Sequence, residues 1–489
     1  MIHLICAQKF AQSWGDNILS KNSEVSVLST ELLVTLDNAL ALTRDEVRTL
    51  HKNYGNASLV TLMSMLNFDR QFVRAEGTRV WDSEGNEYLD FLGGYGSLNV
   101  GHNNPHVIRA LERVKNLPNI IQANIPTIAA ALLHNLAQIT PGKLKRSFLC
   151  NSGAEAVEGA LKLARAATGR KTFIYCRNSF HGKSFGALSV TGREKYRNSF
   201  EPLLPECVEV PFGDAGALKR ALREHEAAAF IVEPIQGEGG INVPPAGYLV
   251  EAARACREAK TLFIADEIQT GLGRTGAMFA CQHENVEPDI MCLAKSLGGG
   301  IMPIGAFITT DDIWHKAYGS VEKATLHTST FGGNTWAAAA GIAALEVLLK
   351  ENLPAAAAEK GAYFMAQLKE LKRKYPLIQD VRGRGLLTGI EFAQPGGLAN
   401  MATMGLASKL STEYLGSMVA GELLNRHRII TAYTLNNPNV IRLEPPLTVG
   451  KEELDYVLNA LEDVLKRNKG FFSFAATSAK TVLKSIRGK

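Results

Sequence analysis

The sequence predicts an α/β fold: a mostly parallel sheet covered on both faces by helices, followed by a smaller α+β module. Three observations carry this. Between about 140 and 345, short apolar runs recur without polar alternation, as strands buried on both faces do. Helix-like segments such as 155–168 and 247–260 separate them, giving the alternation of a doubly covered sheet. The 489 residues, 46% hydrophobic and 21% charged, exceed what one core supports, so two or three substructures are expected.

In chain order, residues 1–78 read as mostly helical, most clearly in "STELLVTLDNALALTRDEVRTLHKNY". "TRVWD" and "EYLDFL" alternate around "SEGN", which is a hairpin pattern. The apolar runs are "RSFLC" (146–150), "KTFIYC" (171–176), "AAAFIVEP" (227–234), "TLFIADE" (261–267), "DIMCLA" (289–294) and "IGAFITT" (304–310). Beyond 346 come two helical stretches, "EKGAYFMAQLKELKRKY" and "KEELDYVLNALEDVLKRN", with strands near 386–392 and 439–443. The division is therefore 1–80, a helical segment; 81–345, a large α/β domain; and 346–489, an α+β domain with a basic tail. That tail, "KGFFSFAATSAKTVLKSIRGK", reads as a solvated terminal helix rather than a membrane or partner contact.

A net charge of +5 spread over this length argues against a nucleic-acid surface, which needs a concentrated basic stripe. No stretch reaches 18 uninterrupted apolar residues and the first twenty lack a signal-peptide pattern, so no membrane span and a cytoplasmic location are expected. The seven cysteines show no CxxC pair or zinc-type spacing and read as free thiols in a reducing compartment.

Chemistry gathers where the apolar runs end. In "CNSGAEAVEGALKLARAATGR" a strand gives way at once to a helix. Ser152 and Glu155 have capping-box spacing, and Gly153 lets a ligand approach the backbone. Free N–H groups there suit a phosphate, although capped helices after strands are common. Glu233 and Glu238, then Asp266, Glu267 and Gln269, follow two further runs, at the strand ends where α/β sheets bind ligands. A metal site is the rival reading for these acids. Lys295 closes another run, directly before Ser-Leu-Gly-Gly-Gly. A snorkelling side chain would explain it, but a partly desolvated lysine also loses charge readily and attacks carbonyls. A lysine that makes an imine, a buried aspartate and a phosphate cup are the parts that pyridoxal phosphate requires.

"NSGAEAVEGALKLAR", "SFHGKSFGALS", "VEPIQGEGG", "ADEIQTGLGRTG", "LAKSLGGGIMPIGA", "HTSTFGGNT" and "RLEPPLT" together resemble the class III, ornithine-type aminotransferases over roughly 60–468. Within that family, "FLGGYGSLNVGHNNP", "TPGKLK" and "TLNNPNVIRLEPPLT" are most similar to the putrescine-using branch. The resemblance implies a fold-type I enzyme with a seven-stranded sheet and a small domain from both chain ends. It also implies pyridoxal 5'-phosphate as cofactor. Lys295 would bind the cofactor covalently and shuttle the proton, and Asp266 would pair with the pyridine nitrogen, with Glu233 behind it. Gln269 would bond the ring's phenolic oxygen, and Ser152, Gly153 and Ala154 the phosphate. Phe180 would stack on the ring with His181 beside it. Thr330 would reach the neighbouring subunit's phosphate, which implies a homodimer with shared sites and leaves a dimer of dimers open. Arg442 would clamp a substrate carboxylate, Glu238 would pair with Arg442 when the donor has none, and Tyr95 would line the donor side.

The implied reaction moves a terminal amino group from putrescine, or a diamine such as cadaverine, to 2-oxoglutarate. Ornithine, acetylornithine and GABA are rival donors. A mutase, racemase or decarboxylase of the same fold is a further alternative, as is a non-catalytic cofactor-binding regulator or scaffold. The sequence departs from the family at Thr335-Trp336, where a proline and a small or aliphatic residue are usual.

Overall fold

The computed structural model describes residues 33–65, 68–121, 123–394, 406–468, 470 and 473–477. The chain divides into two compact units, Met1–Thr61 and Leu62–Lys489. The described part of the first holds helix Leu36–Leu40, capped by Thr35, and helix Arg44–Tyr54, which starts on a Thr43/Glu46 capping box.

The second unit is organised by a seven-stranded sheet. Its strands are β4 (Arg146–Cys150), β5 (Thr172–Cys176), β6 (Cys207–Val210), β7 (Ala227–Val232), β8 (Leu262–Asp266), β9 (Ile290–Leu293) and β10 (Gly305–Thr309). Their order is β4-β10-β9-β8-β7-β5-β6. Only β10 runs against its neighbours, so the carboxyl ends of the other six meet at one edge. Every residue of β5, β7, β9 and β10 is buried, and this two-sided burial is why those runs lack polar alternation. Helix Gly153–Thr168 packs one face with Val157, Ala160, Leu161 and Ala164 and ends on the left-handed Gly169.

Two four-stranded sheets complete the unit. In one, β1 (Phe72–Glu76), β2 (Arg79–Asp82) and β3 (Glu87–Asp90) form an antiparallel meander, and β13 (Ile429–Ile430) lies parallel to β3. In the other, the order is β11 (Ile378–Arg384), β12 (Leu387–Phe392), β15 (Val440–Leu443) and β14 (Ala432–Tyr433). Among the described residues no helix is long and apolar enough to cross a membrane.

Four readings need correction. Residues 72–76 are a strand inside the segment expected to be helical; most of β1 is exposed, so no apolar rhythm marks it. Of that segment, residues 1–32 lie outside the described residues. β6 and β11 were not among the expected strands, because both are edge strands with polar residues on an open side. The helix Leu406–His427 was likewise not anticipated. At the C-terminus, Phe474 is fully buried in the main core, so the start of the tail is docked rather than solvated. Residues 478–489 lie outside the described residues.

Candidate active site

The edge where the strands end opens into a cavity of about 550 Å3. Ser152, Gly153, Ala154, Phe180, His181, Glu233, Asp266, Gln269 and Lys295 all line it. They come from the turns after β4, β5, β7, β8 and β9, so the sheet gathers residues far apart in sequence.

At the β4 turn, Ser152 caps the helix by accepting the Glu155 N–H (3.2 Å). The capping box is only half formed, because Glu155 reaches back to the Asn151 N–H (2.9 Å) instead of to that of Ser152. Gly153 and Ala154 occupy the first turn, where helix geometry leaves backbone N–H groups without intrahelical acceptors. Gly305 on β10 makes room for this turn, since a Cβ there would overlap the Ser152 carbonyl oxygen.

On the sheet floor, Asp266 faces His181, with Oδ2 2.6 Å from Nδ1, and its Oδ1 accepts the Ile268 N–H (3.1 Å). His181 Nε2 is buried without a partner. Glu233 accepts from the Phe180 and Gly237 backbone N–H groups, both at 2.9 Å, and so fixes two cavity loops. Burial, with Asp266 nearby, pushes its carboxyl up to about 7 despite His181 and these bonds. Glu267, the next acid along, lies outside the cavity and staples a loop by accepting from the Ala280 (3.0 Å) and Cys281 (2.8 Å) N–H groups.

Lys295 has φ +48°, in the left-handed region that L-residues enter at a cost and that clusters at functional sites. Burial pulls its ammonium below the ordinary lysine range, Arg442 adds to the fall, and Glu444, Glu238 and Asp266 oppose it.

Beside the cavity, but not lining it, Arg442 is fully buried. Its Nη2 donates to Glu238, and the Tyr95 ring lies 5.0 Å from its guanidinium carbon. Burial disfavours the charged Glu238, but Arg442 and the Leu435 N–H outweigh that and hold its carboxyl below the usual value. Tyr95 sits in a left-handed turn between Gly94 and Gly96, all with positive φ.

Two residues here were missed by sequence reasoning. Glu444, fully buried, accepts from Gln269 Nε2 at 3.0 and 3.2 Å and lies 3.7 Å from Arg442 Nη1 and 3.9 Å from Arg274 Nε. Arg274, also fully buried, donates to the Leu386 (3.1 Å) and Pro445 (2.5 Å) carbonyls and to Asn99 Oδ1 (2.6 Å). A signal existed for Glu444: it follows Arg442 by two residues at the end of an apolar strand, the spacing that shares a face. Thr330 is exposed and does not line its own chain's cavity. Trp336 is half-buried against the core, its backbone N–H donating to Asn119 Oδ1 (3.1 Å). Among the described residues no group of three or more His, Cys, Asp or Glu is placed to hold a metal ion.

With this geometry in hand, the comparisons identify the class. The family described as aminotransferase class III matches residues 63–465, and the chain belongs to it. The aminotransferase PigE of Serratia sp. (strain ATCC 39006) is 39% identical over 454 residues, 86% of this chain and 53% of that protein. The chain thus spans about half the length of this relative. An ornithine aminotransferase from Toxoplasma gondii, whose structure is described as having partial occupancy of PLP at the active site, superposes with TM-score 0.77 at 34% identity, over 88% of this chain and 96% of that one. The acetylornithine aminotransferase of Elizabethkingia anophelis gives TM-score 0.70 at 30% identity, over 87% and 100%. The cofactor of this family is pyridoxal phosphate, and this chain's residues fit it: open N–H groups at a helix start, a buried aspartate, an unpartnered histidine nitrogen and a desolvated lysine converge on one cavity.

Proposed function

We propose that this chain transfers the terminal amino group of putrescine, or of a diamine such as cadaverine, to 2-oxoglutarate, releasing an aminoaldehyde and glutamate. One observation carries the reading. The buried guanidinium of Arg442 is already neutralised by Glu238, so the donor end accepts an amine that brings no carboxylate. When 2-oxoglutarate enters, Glu238 withdraws and the guanidinium fork receives a carboxylate.

In this reading Ser152, Gly153 and Ala154 hold the cofactor's phosphate, Phe180 covers its ring and Gln269 meets its phenolic oxygen. Asp266, fixed by His181 and backed by Glu233, faces the ring nitrogen. The bound cofactor supplies an aldehyde that condenses with amines and a ring that accepts electrons. Lys295 would supply the condensing amine and, once freed, would take a proton from the donor carbon and deliver it to the carbon that had been the cofactor's aldehyde. The β8 strand end and the packed floor keep water from the Asp266 carboxylate, and Tyr95 shields Arg442.

We further propose a homodimer in which Thr330 completes the neighbouring site. Supporting this, Val321, Leu326 and Phe331 around Thr330 are exposed apolar residues. Six cysteines without a disulfide among the described residues fit the cytoplasm. A second reading, ornithine or acetylornithine as donor, is favoured by the names of the solved relatives. A panel of putrescine, cadaverine, ornithine and GABA with 2-oxoglutarate, read by glutamate formation, separates them. Preference for an amino acid over both diamines would overturn the proposal.

A further inference from the structure

We infer that Glu444 is a standing counter-charge that sets this site's preference between cationic amines and carboxylates. The inference rests on the proposed reaction only for the identity of the donors. Arg442 faces two carboxylates that are held differently. Glu238 lies in the turn after β7, and its carboxylate is fixed by the Leu435 N–H (2.8 Å) and by Arg442 itself. Glu444 continues β15; its backbone N–H donates to the Phe91 carbonyl (2.7 Å), both its carboxylate oxygens accept from Gln269 Nε2, and Arg274 Nε lies 3.9 Å away, an ion pair without a hydrogen bond. Gly96 leaves the space it fills, since a Cβ at that position would overlap Glu444 Oε1. Arg274 is in turn locked by three other acceptors. Departure from Arg442 therefore breaks a hydrogen bond of Glu238, whereas Glu444 makes none to Arg442 and keeps its Gln269 bonds whatever Arg442 binds.

The contact is electrostatic rather than a hydrogen bond. Glu444 lies 3.7 Å from Arg442 Nη1, and Nη1 and Nε, both buried, have no hydrogen-bond partner. Glu444 thus lowers the net positive charge without occupying the donors that a substrate carboxylate would use. With Glu238 displaced, an incoming carboxylate still meets a buried negative charge, and with Glu238 in place a second ammonium on the donor meets a neutral network. Glu444 also heads the charges that oppose the fall of Lys295, so it lies within electrostatic reach of the reacting amine.

The test is calorimetric binding of glutarate, which carries carboxylates but cannot react, to the cofactor-loaded protein. Glu444→Gln keeps the shape and removes the charge, and is expected to bind glutarate roughly tenfold more tightly. Glu444→Asp keeps the charge and is expected to stay within about twofold. Should the glutamine variant fail to fold, Glu444→Ala carries the same expectation. Unchanged glutarate affinity in the folded neutral variant, or equal tightening in Glu444→Asp, would overturn the inference. In turnover, the kcat/KM ratio of putrescine to GABA is expected to fall roughly tenfold in Glu444→Gln. If the parent uses no diamine, the proposed reaction fails while the glutarate comparison still decides the role of Glu444.

Discussion

On the strand-end side of the cavity, Ser152, Gly153 and Ala154 present backbone groups, while Glu233, Asp266 and Lys295 stand at the ends of β7, β8 and β9, inner strands of the sheet. On the donor side, Glu238, Arg274, Arg442 and Glu444 present four buried charges drawn from separate segments. Groups at the ends of packed strands are fixed by the fold and serve any ligand of one shape. Buried charges must be matched to each other and to the substrate, because an unpaired one is costly. In the proposed reaction the first side therefore carries the chemistry common to a family, and the second carries the choice of substrate.

The comparison can be broken in order of expected effect. Lys295→Ala should lower amino transfer on the order of 10⁴-fold with every donor, measured as glutamate formed. A loss confined to one donor class would mean that the strand-end side is not generic. Glu233 comes next, read through stability. It binds more protons folded than unfolded between pH 4.5 and about 7, so the coenzyme-free protein should lose up to about 3 kcal/mol as pH rises through that window. Glu233→Gln should flatten this slope in denaturant melts. A pH-independent cost is expected as well, because its amide oxygen can serve only one of the Phe180 and Gly237 N–H groups well. Arg442→Lys should raise KM for 2-oxoglutarate roughly 10–100-fold while leaving single-turnover reaction with a diamine much less affected. Equal losses in both half-reactions would erase the distinction between the two sides.

The legibility of the two sides differed in the same way. Lys295, Asp266 and Ser152 each end an apolar run, so the strand-end side could be read from local pattern, and the cavity brings those residues together. The donor side needs tertiary placement. Arg274 sits in a glycine-rich turn that gives no hint of its partners at Asn99, Leu386 and Pro445. In the sequence Glu444 simply precedes two prolines, and only the placement of β15 sets it between two arginines. The edge strands β6 and β11 escaped for a related reason: half-exposed strands carry charges that blur period two.

The Lys295 backbone sits in the left-handed region at φ +48°. Glycine tolerates that geometry where any side chain is penalised, so Lys295→Gly should be about 1 kcal/mol more stable than Lys295→Ala. A thermal melt of the two variants would show whether the chain gives up robustness at this position in order to aim the Lys295 amine into the cavity.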